Sequence, residues 1–239
     1  MPSSSCPYEL GADEYVYQGR WMNTRRVSFK TKTGTTGVWE SAHRIKKPQN
    51  DGPDGVDVVA TLVELAVRRG ECGRADGNGD KAQLEMKERD CVEANGVRKL
   101  ILVRQYRIPC KAWCIEFPAG LVDSNETVEA AAKRELKEET GYTATKIVSI
   151  SGGVQPLDPG LSDDSCQFVR VEVDASAEEN RQPRQQLEPD ETCEVVLADM
   201  DELLEFCDRA TRNGDAVESM VYSFALAVDM TKKMMTANR

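Results

Sequence analysis

The stretch GLVDSNETVEAAAKRELKEETGY, residues 120–142, decides the fold of this 239-residue chain. Thr127 is a favourable residue to cap the start of a helix, and Gly141 is a favourable one to end it. The spacing therefore predicts a helix of about thirteen residues between them. The apolar face that we expect to lie in the core consists of Val128, Ala132 and Leu136.

A second face of this helix carries three carboxylates. Glu135, Glu138 and Glu139 fall within about 100° of arc at 100° per residue, so they repel one another. A divalent cation removes the repulsion, and ligands that are all oxygen select a hard ion such as Mg²⁺ or Mn²⁺. Such an ion would neutralise a diphosphate and activate a water for attack on phosphorus. The alternative is a solvated acidic face without a function.

Composition excludes several classes of protein. The net charge of −10 argues against a nucleic-acid polymer as partner, but a small nucleotide with its own metal ions remains compatible. No apolar run approaches the length of a membrane span, and residues 1–5 do not resemble a secretory signal. Eight cysteines without a disulfide framework indicate reduced thiols, which places the protein in the cytoplasm, with the nucleus as the alternative.

Zinc and histidine chemistry have little support. Cys110 and Cys114 form a CxxxC half-site, but no second pair follows at a useful spacing, so we expect no structural zinc. His43 is the only histidine in the chain, which leaves carboxylates as the available bases.

The elements around the helix predict an α/β fold with a mixed sheet. Alternating apolar residues on either side of a Gly-rich turn predict a β-hairpin within residues 14–50. A polar stretch at 70–97 is either an extended hairpin tip or a disordered insertion. The sequence EENRQPRQQLEPDETC, residues 178–193, predicts a mobile surface loop. We expect a hairpin region at 1–54, a catalytic domain at 55–211 and a C-terminal helix at 212–239, packed on the core or on a dimer partner.

The segment at 120–142 resembles a complete Nudix box. Gly120, Glu126 and the run from Arg134 to Gly141 stand at the spacing of that signature. Outside the box, the resemblance narrows to the ADP-ribose (ADP-sugar) pyrophosphatases through the stretches GTTGVWESAHR, VRQYRIP, WCIEFPAGLVD, LDPGLSD and PDETCEV. Together these stretches spread over residues 30–197. The resemblance implies a Nudix α/β/α sandwich, a homodimer formed through the N-terminal hairpin, and Mg²⁺-dependent hydrolysis of ADP-ribose to AMP and ribose 5-phosphate.

The resemblance also implies roles for individual residues. The metal would be held by Ala119 through its carbonyl, Glu135, Glu139 and Glu191. Glu191 would also orient the attacking water, with Glu138 as a shared or supporting ligand. Arg134 would either bind phosphate or brace acidic neighbours, here Glu126 and Glu138. The implied substrate contacts are Trp21, Trp39 and Glu40 for adenine, Arg44 and Arg107 for the diphosphate and ribose, and Leu121 and Asp158 for the second ribose.

Some alternatives stay open at this stage. Trp21 and Trp39 could be ordinary hairpin aromatics, and Glu188, Asp190 and Glu194 compete with Glu191 for its role. The loop after the box is slightly longer than the family pattern. The chain could instead sanitise oxidised nucleoside diphosphates or act as a catalytically silent nucleotide-binding module.

Overall fold

The computed structural model describes residues 6–45, 52–63, 98–189 and 191–237. The expected insertion at 70–97 lies outside the described residues, as do Cys72, Cys91 and Asp190. The strands in chain order are β1 (Tyr8–Leu10), β2 (Glu14–Gln18), β3 (Met22–Thr31), β4 (Thr36–Arg44), β5 (Gly55–Val63), β6 (Lys99–Arg107), β7 (Ala112–Glu116), β8 (Ala119–Leu121), β9 (Lys146–Ile150), β10 (Gln155–Pro156), β11 (Ser165–Asp174), β12 (Cys193–Asp199) and β13 (Ala216–Val217). The helices are α1 (Val128–Thr140), α2 (Leu203–Arg212) and α3 (Ser219–Ala237), with a 3₁₀ turn at Glu178–Asn180.

The chain forms two compact units, described separately below. The first contains the described residues of Met1–Val58, Ala119–Glu135 and Ser149–Val169. The second contains those of Val59–Pro118, Leu136–Val148 and Arg170–Arg239. The three-part division expected from the sequence stays a prediction.

An antiparallel sheet of β1, β3, β2 and β4 begins the first unit. The predicted hairpin is confirmed: β3 and β4 pair along their length, and Gly34 makes the turn with a positive φ of 90°. Positive φ is a conformation that glycine adopts at little cost. No residue of this sheet is fully buried within the described range 6–45. The sheet therefore has no core of its own.

Pairing with β5 positions β8, the strand that leads into helix α1. β8 pairs with β5 so that Gly55 lies opposite Leu121 and Asp57 opposite Ala119. Val122 continues the pairing, since its N–H donates to the carbonyl of Asp54. These bonds fix the backbone of β8 just before α1 begins.

The second unit is built on a mixed sheet. β6 pairs antiparallel with β12 and β7, and β7 pairs parallel with β13. The centre of β6 is a continuous apolar run, residues 100–103, that is completely buried. Such a run is typical of a strand covered on both faces. The predicted α/β class with a mixed sheet is confirmed.

Helix α1 has the bounds that its end signals predict. The Thr127 hydroxyl accepts a hydrogen bond from the Ala130 N–H at 3.2 Å, and Gly141 ends the helix with a φ of 76°. Ala132 and Leu136 are fully buried, as expected. Ala131 is also fully buried, whereas Val128 is only half-buried.

Asn180 is packed into the fold, although it stands in the segment that the sequence predicts as a mobile surface loop. Asn180 is only 4% exposed. Its side chain accepts a bond from the Thr143 N–H and donates to the carbonyls of Thr143 and Asp174. The amide thus replaces backbone pairing where the chain has no strand, which composition could not show.

Helix α3 contributes to the core of the second unit. Val221 and Ala225 are fully buried, and Phe224 meets Phe117 edge to face at 5.9 Å between ring centroids. None of the described helices is long and apolar enough to cross a membrane.

Gly141 offers a test of how tightly the end of α1 is packed. A Cβ at this position would collide with the backbone of Arg184, and the positive φ adds a conformational cost. We expect Gly141→Ala to lower the free energy of unfolding by about 1–2 kcal/mol for the left-handed conformation and by about 1–3 kcal/mol more for overpacking. Urea denaturation measures both terms.

Gly153 is the matched control for this variant. Its φ is 71°, and a Cβ there would meet no atom within 4 Å. Gly153→Ala should therefore show only the conformational cost. Equal losses in the two variants would contradict the close packing of Arg184 against α1.

Candidate active site

The three glutamates predicted as a metal-binding face all lie on α1. Glu139 is only 7% exposed, and Glu135 and Glu138 are half-buried. A buried carboxylate needs a compensating charge or hydrogen bonds. In the part of the chain that the structure describes, no group of three or more His, Cys, Asp or Glu side chains is close enough to hold a metal ion. The set of Ala119, Glu135, Glu139 and Glu191 therefore stays a prediction.

Arg134 braces the first half of this face. Its Nε and Nη2 donate to the two carboxylate oxygens of Glu126 at 3.0 and 2.9 Å. Its Nη1 donates to Glu135 Oε1 at 2.6 Å, and Nη2 also donates to the Leu121 carbonyl at 2.9 Å. The bracing role towards Glu126 is thus observed, and the second carboxylate bound at Nη1 is Glu135. One guanidinium joins β8 to the acidic face of the helix.

Gly120 leaves the space that the Glu135 carboxylate occupies. A Cβ built at position 120 would overlap the carboxylate oxygens of Glu135. Only glycine therefore lets this carboxylate approach the main chain of β8, next to Ala119. A carboxylate beside backbone carbonyls supplies the hard oxygen donors that Mg²⁺ and similar ions prefer. The residues present fit a divalent cation in this respect.

Arg107 is held by a carboxylate that the sequence did not single out. Its Nε and Nη2 donate to the two oxygens of Glu116 at 2.8 and 2.6 Å, and Gln105 donates to the same carboxylate at 3.0 Å. Glu116 is only 7% exposed, whereas the Arg107 side chain is half-exposed. The hydrogen bond with Glu116 raises the pKa of Arg107 against the opposing effect of burial. Glu116 fixes one edge of the guanidinium, and Nη1 is on the other edge.

Glu191 lies in a tight turn before β12. Its N–H donates to the Glu188 carbonyl at 3.0 Å, and its Oε2 accepts the Glu188 N–H at 2.9 Å. Burial raises the pKa of the nearby Cys193 thiol to about 12, and the charges of Glu139, Glu191 and Glu116 act in the same direction. The choice of Glu191 among the late-loop carboxylates stays a prediction.

Strand β4 is fastened to the loop at 157–164, within the first unit. The Trp39 indole N–H donates to the Gly160 carbonyl at 3.1 Å, and the Ala42 N–H donates to the Leu161 carbonyl at 2.9 Å. Arg44 Nε donates to Asp164 at 2.8 Å. The structure thus brings Trp39 and Arg44 together with the loop that contains Asp158. The carbonyl of Asp158 accepts the N–H groups of Leu161 and Ser162 and so forms the turn of that loop.

Of the remaining predicted substrate contacts, Trp21 and Glu40 lie on or beside the hairpin, and Leu121 is the last residue of β8. Glu40 is paired with Arg26, whose Nη2 is 2.7 Å from the carboxylate. Trp21 and Trp39 are 69% and 56% exposed, and the Arg20 guanidinium lies 4.7 Å from the Trp21 ring centroid. Trp39 also borders an apolar depression of about 400 Å³, lined by Tyr8, Leu10, Val27 and Phe29. Both indoles are largely exposed, and an exposed indole can stack on a planar group.

His43 takes part in a short polar chain on β4. Its Nε2 is 2.8 Å from the Ser41 hydroxyl, and its Nδ1 is 2.9 Å from Asp163 Oδ2. The Nδ1–Oδ2 contact is a close approach without hydrogen-bond alignment. This differs from a catalytic triad, in which the carboxylate must orient the imidazole through that bond. We interpret the chain as a further link between β4 and the loop at 157–164.

Known proteins of one family are similar to this chain in sequence. The NUDIX domain matches residues 87–218, more than half of the chain. The chain belongs to the Nudix hydrolase family. A Caenorhabditis elegans protein whose name assigns it to the nudix hydrolases is 39% identical over 94% of this chain and 87% of its own length. The ADP-ribose pyrophosphatase of Saccharomyces cerevisiae is 31% identical over 90% of this chain and 79% of its own length.

A mouse enzyme and a solved crystal structure are also similar to this chain. The ADP-sugar pyrophosphatase of Mus musculus is 28% identical over 95% of this Nudix chain and 89% of its own. A crystal structure of an ADP compounds hydrolase superposes with a TM-score of 0.56 at 19% identity, covering 96% of this chain and 97% of the other. The superposition confirms the predicted Nudix fold. Nudix hydrolases generally use divalent cations, in agreement with the carboxylates of α1.

The Arg134–Glu126 pair predicts a pH dependence of stability. The hydrogen bonds from Arg134 hold the pKa of Glu126 below its usual value of about 4.3. A depressed pKa stabilises the fold above the unfolded pKa, and the contribution is lost as the pH falls through the folded pKa. At pH 7 we expect Glu126→Gln to reduce the free energy of unfolding by about 1–2 kcal/mol, the scale of a charge-assisted hydrogen bond at a partly exposed site.

Urea denaturation of wild type and Glu126→Gln from pH 7 down to pH 3 measures this difference. The gap between the two proteins should begin to close below about pH 4.3. Glu179→Gln is the control, because Glu179 is exposed and its substitution should change stability little at any pH. A gap that stays constant across the range would show that the Glu126 charge is not what stabilises the fold.

Proposed function

We propose that this Nudix hydrolase cleaves the diphosphate of ADP-ribose and related ADP-sugars, with Mg²⁺, to give AMP and a sugar phosphate. The observation that carries the substrate class is the contact of strand β4 with the loop at 157–164. The exposed Trp39 indole is fixed there by the Gly160 carbonyl, and the Arg44 guanidinium is bound there by Asp164. An indole and a guanidinium that are both held on one loop suit a nucleotide, whose base is planar and whose phosphates are anionic. The names of the yeast and mouse relatives support the same class.

The carboxylates of the box would hold the cation. Glu135 and Glu139 are the main ligands in this proposal, with the Ala119 carbonyl and Glu191 completing the set and Glu138 in support. Mn²⁺ is a possible substitute because it accepts the same oxygen donors. When bound, the ion neutralises the diphosphate and lowers the pKa of a water. Arg134 keeps Glu135 in place, as its 2.6 Å contact supports.

The other residues would bind substrate or orient the water. The guanidinium groups of Arg44 and Arg107 would bind the diphosphate, and each is already oriented by a carboxylate, Asp164 or Glu116. Glu40 would contact adenine, whereas Leu121 and Asp158 would contact the second ribose. Glu191 would orient the attacking water as a general base, a role that a carboxylate can fill.

We also propose that the N-terminal sheet pairs with a second copy of the chain. The sheet exposes large apolar side chains, among them Tyr15, Val16, Tyr17 and Val38. An isolated sheet with one uncovered apolar face is marginal in water. A homodimer would cover it and place Trp39 of one subunit opposite Trp21 of the other around the adenine. The six described cysteines are free thiols, which supports a reducing compartment, the cytoplasm or the nucleus.

Two other functions compete with this proposal. A catalytically silent module would have lost a box carboxylate or a phosphate-binding arginine, yet Glu135, Glu139, Arg44 and Arg107 are all present. An enzyme that hydrolyses oxidised nucleoside diphosphates would use the same box and would differ in the pocket that binds the base. The relative rates at which the candidate substrates are hydrolysed distinguish the two activities.

A panel of nucleoside diphosphate derivatives with Mg²⁺, scored by HPLC for AMP release, tests the proposal. ADP-ribose and ADP-sugars should be hydrolysed faster than oxidised nucleoside diphosphates. Glu135→Gln and Glu139→Gln should each lower turnover by a factor of about 10² or more, because each removes a charged ligand from the proposed cation site. Circular dichroism should show both variants folded. Activity near that of the wild type in both would refute the metal assignment.

The adenine clamp gives a separate prediction. Trp39→Ala should raise KM for ADP-ribose by an amount corresponding to about 1–3 kcal/mol, the value of base stacking on an aromatic ring. Val38→Ala, a truncation at the next position of β4, should change KM much less. Sedimentation of each protein reports the oligomeric state. A fully active wild-type monomer would rule out the shared clamp, and an unchanged KM in Trp39→Ala would remove this residue from the site.

A further inference from the structure

The last turn of α1 is closed by a segment far along the chain. Carbonyls at the end of a helix have no partner within the helix and need one elsewhere. The Glu138 carbonyl accepts the backbone N–H of Gln186 at 2.8 Å. The Glu139 carbonyl accepts the side-chain amide of Gln185 at 2.6 Å. Gln186 and Gln185 thus supply hydrogen-bond donors to the carbonyls of two consecutive residues of the Nudix box, Glu138 and Glu139.

The Gln185 side chain reaches a second carbonyl. Its Nε2 also donates to the carbonyl of Cys193 at 2.9 Å, so two acceptors share one amide nitrogen. Cys193 is the first residue of β12 and pairs with Gln105 of β6, which fixes its backbone in the sheet. The buried Cys193 thiol also approaches the Glu139 carbonyl at 3.9 Å. One amide therefore ties the end of the box helix to the start of β12.

These bonds fix both ends of the segment that contains Glu191. At one end of the segment, Gln186 is bonded to the last turn of α1, and at the other end Cys193 begins β12. The Gln185 amide bonds to both the helix end and Cys193. The Glu188–Glu191 turn lies between these points. We propose that Gln185 is a positioning residue: its amide fixes the Glu191 carboxylate relative to Glu139, a ligand in the proposed cation site. This inference rests on the proposed function.

The position of a group that acts on water affects turnover more than binding. A displacement of about 1 Å can cost a factor of about 10² in rate. Loss of the Gln185 amide should therefore lower kcat and leave KM for ADP-ribose within about twofold. Gln185→Met keeps the length of the side chain and removes its donors, and we expect kcat to fall about tenfold or more. Gln185→Glu places a carboxylate against two carbonyl oxygens, so its loss should be at least as large.

Gln186→Ala is the matched control. Gln186 contributes only its backbone N–H to the helix end, and alanine keeps that donor. Its kcat should stay close to that of the wild type. Urea denaturation of all variants separates loss of fold from loss of position, because a purely structural role would lower stability and leave kcat of the folded protein unchanged.

A double-mutant cycle with Glu191→Gln decides whether Gln185 acts through Glu191. If it does, adding Gln185→Met to Glu191→Gln should reduce kcat much less than it does in the wild type. Losses that multiply independently would overturn the inference and leave the proposed function intact. The inference is also overturned, and the proposed function left intact, if Gln185→Met changes only KM or changes neither kcat nor KM. If Glu191→Gln retains full kcat while Glu139→Gln is inactive, the role proposed for Glu191 is wrong, and the inference fails with it.

Discussion

Repulsion between carboxylates on one helix face is the constraint on which this structure depends. Glu135, Glu138 and Glu139 lie within one turn of α1, and Glu139 is buried. Such an arrangement destabilises a helix unless positive charge or hydrogen-bond donors compensate for it. Arg134 compensates near Glu135, and it also binds Glu126 and the Leu121 carbonyl. The guanidinium that compensates the negative charge of these carboxylates therefore also joins the helix to β8.

The helix and the hairpin could be predicted because their signals are local. Thr127 and Gly141 marked the ends of α1 through capping chemistry that depends on a few neighbouring residues. The Gly-rich turn between β3 and β4 was equally local. The family resemblance added the Nudix fold and the names of the site residues, most of which the structure places on strands or on α1 without testing their roles.

The parts that could not be predicted depend on contacts between residues distant in sequence. Glu116 holds Arg107 from the neighbouring strand, and only its place in the WCIEFPAGLVD stretch could have drawn attention to it. Gln185 stands in a polar run whose composition is typical of a mobile loop. Its two bonds go to backbone carbonyls, which every residue possesses, so no pattern of residue types marks them. Asn180 escaped notice for the same reason.

The bond between the Trp39 indole and the Gly160 carbonyl has a thermodynamic consequence for ligand binding. Tryptophan has two rotatable side-chain bonds, and fixing them opposes association if it happens when the ligand arrives. Here the bond at 3.1 Å holds the ring through a contact within the protein itself. The loss of side-chain entropy thus belongs to folding and is absent from the binding equilibrium. A base that stacks on this ring, as proposed, would meet a surface that is already held in place, so its affinity would reflect desolvation and ring overlap more than the ordering of the protein.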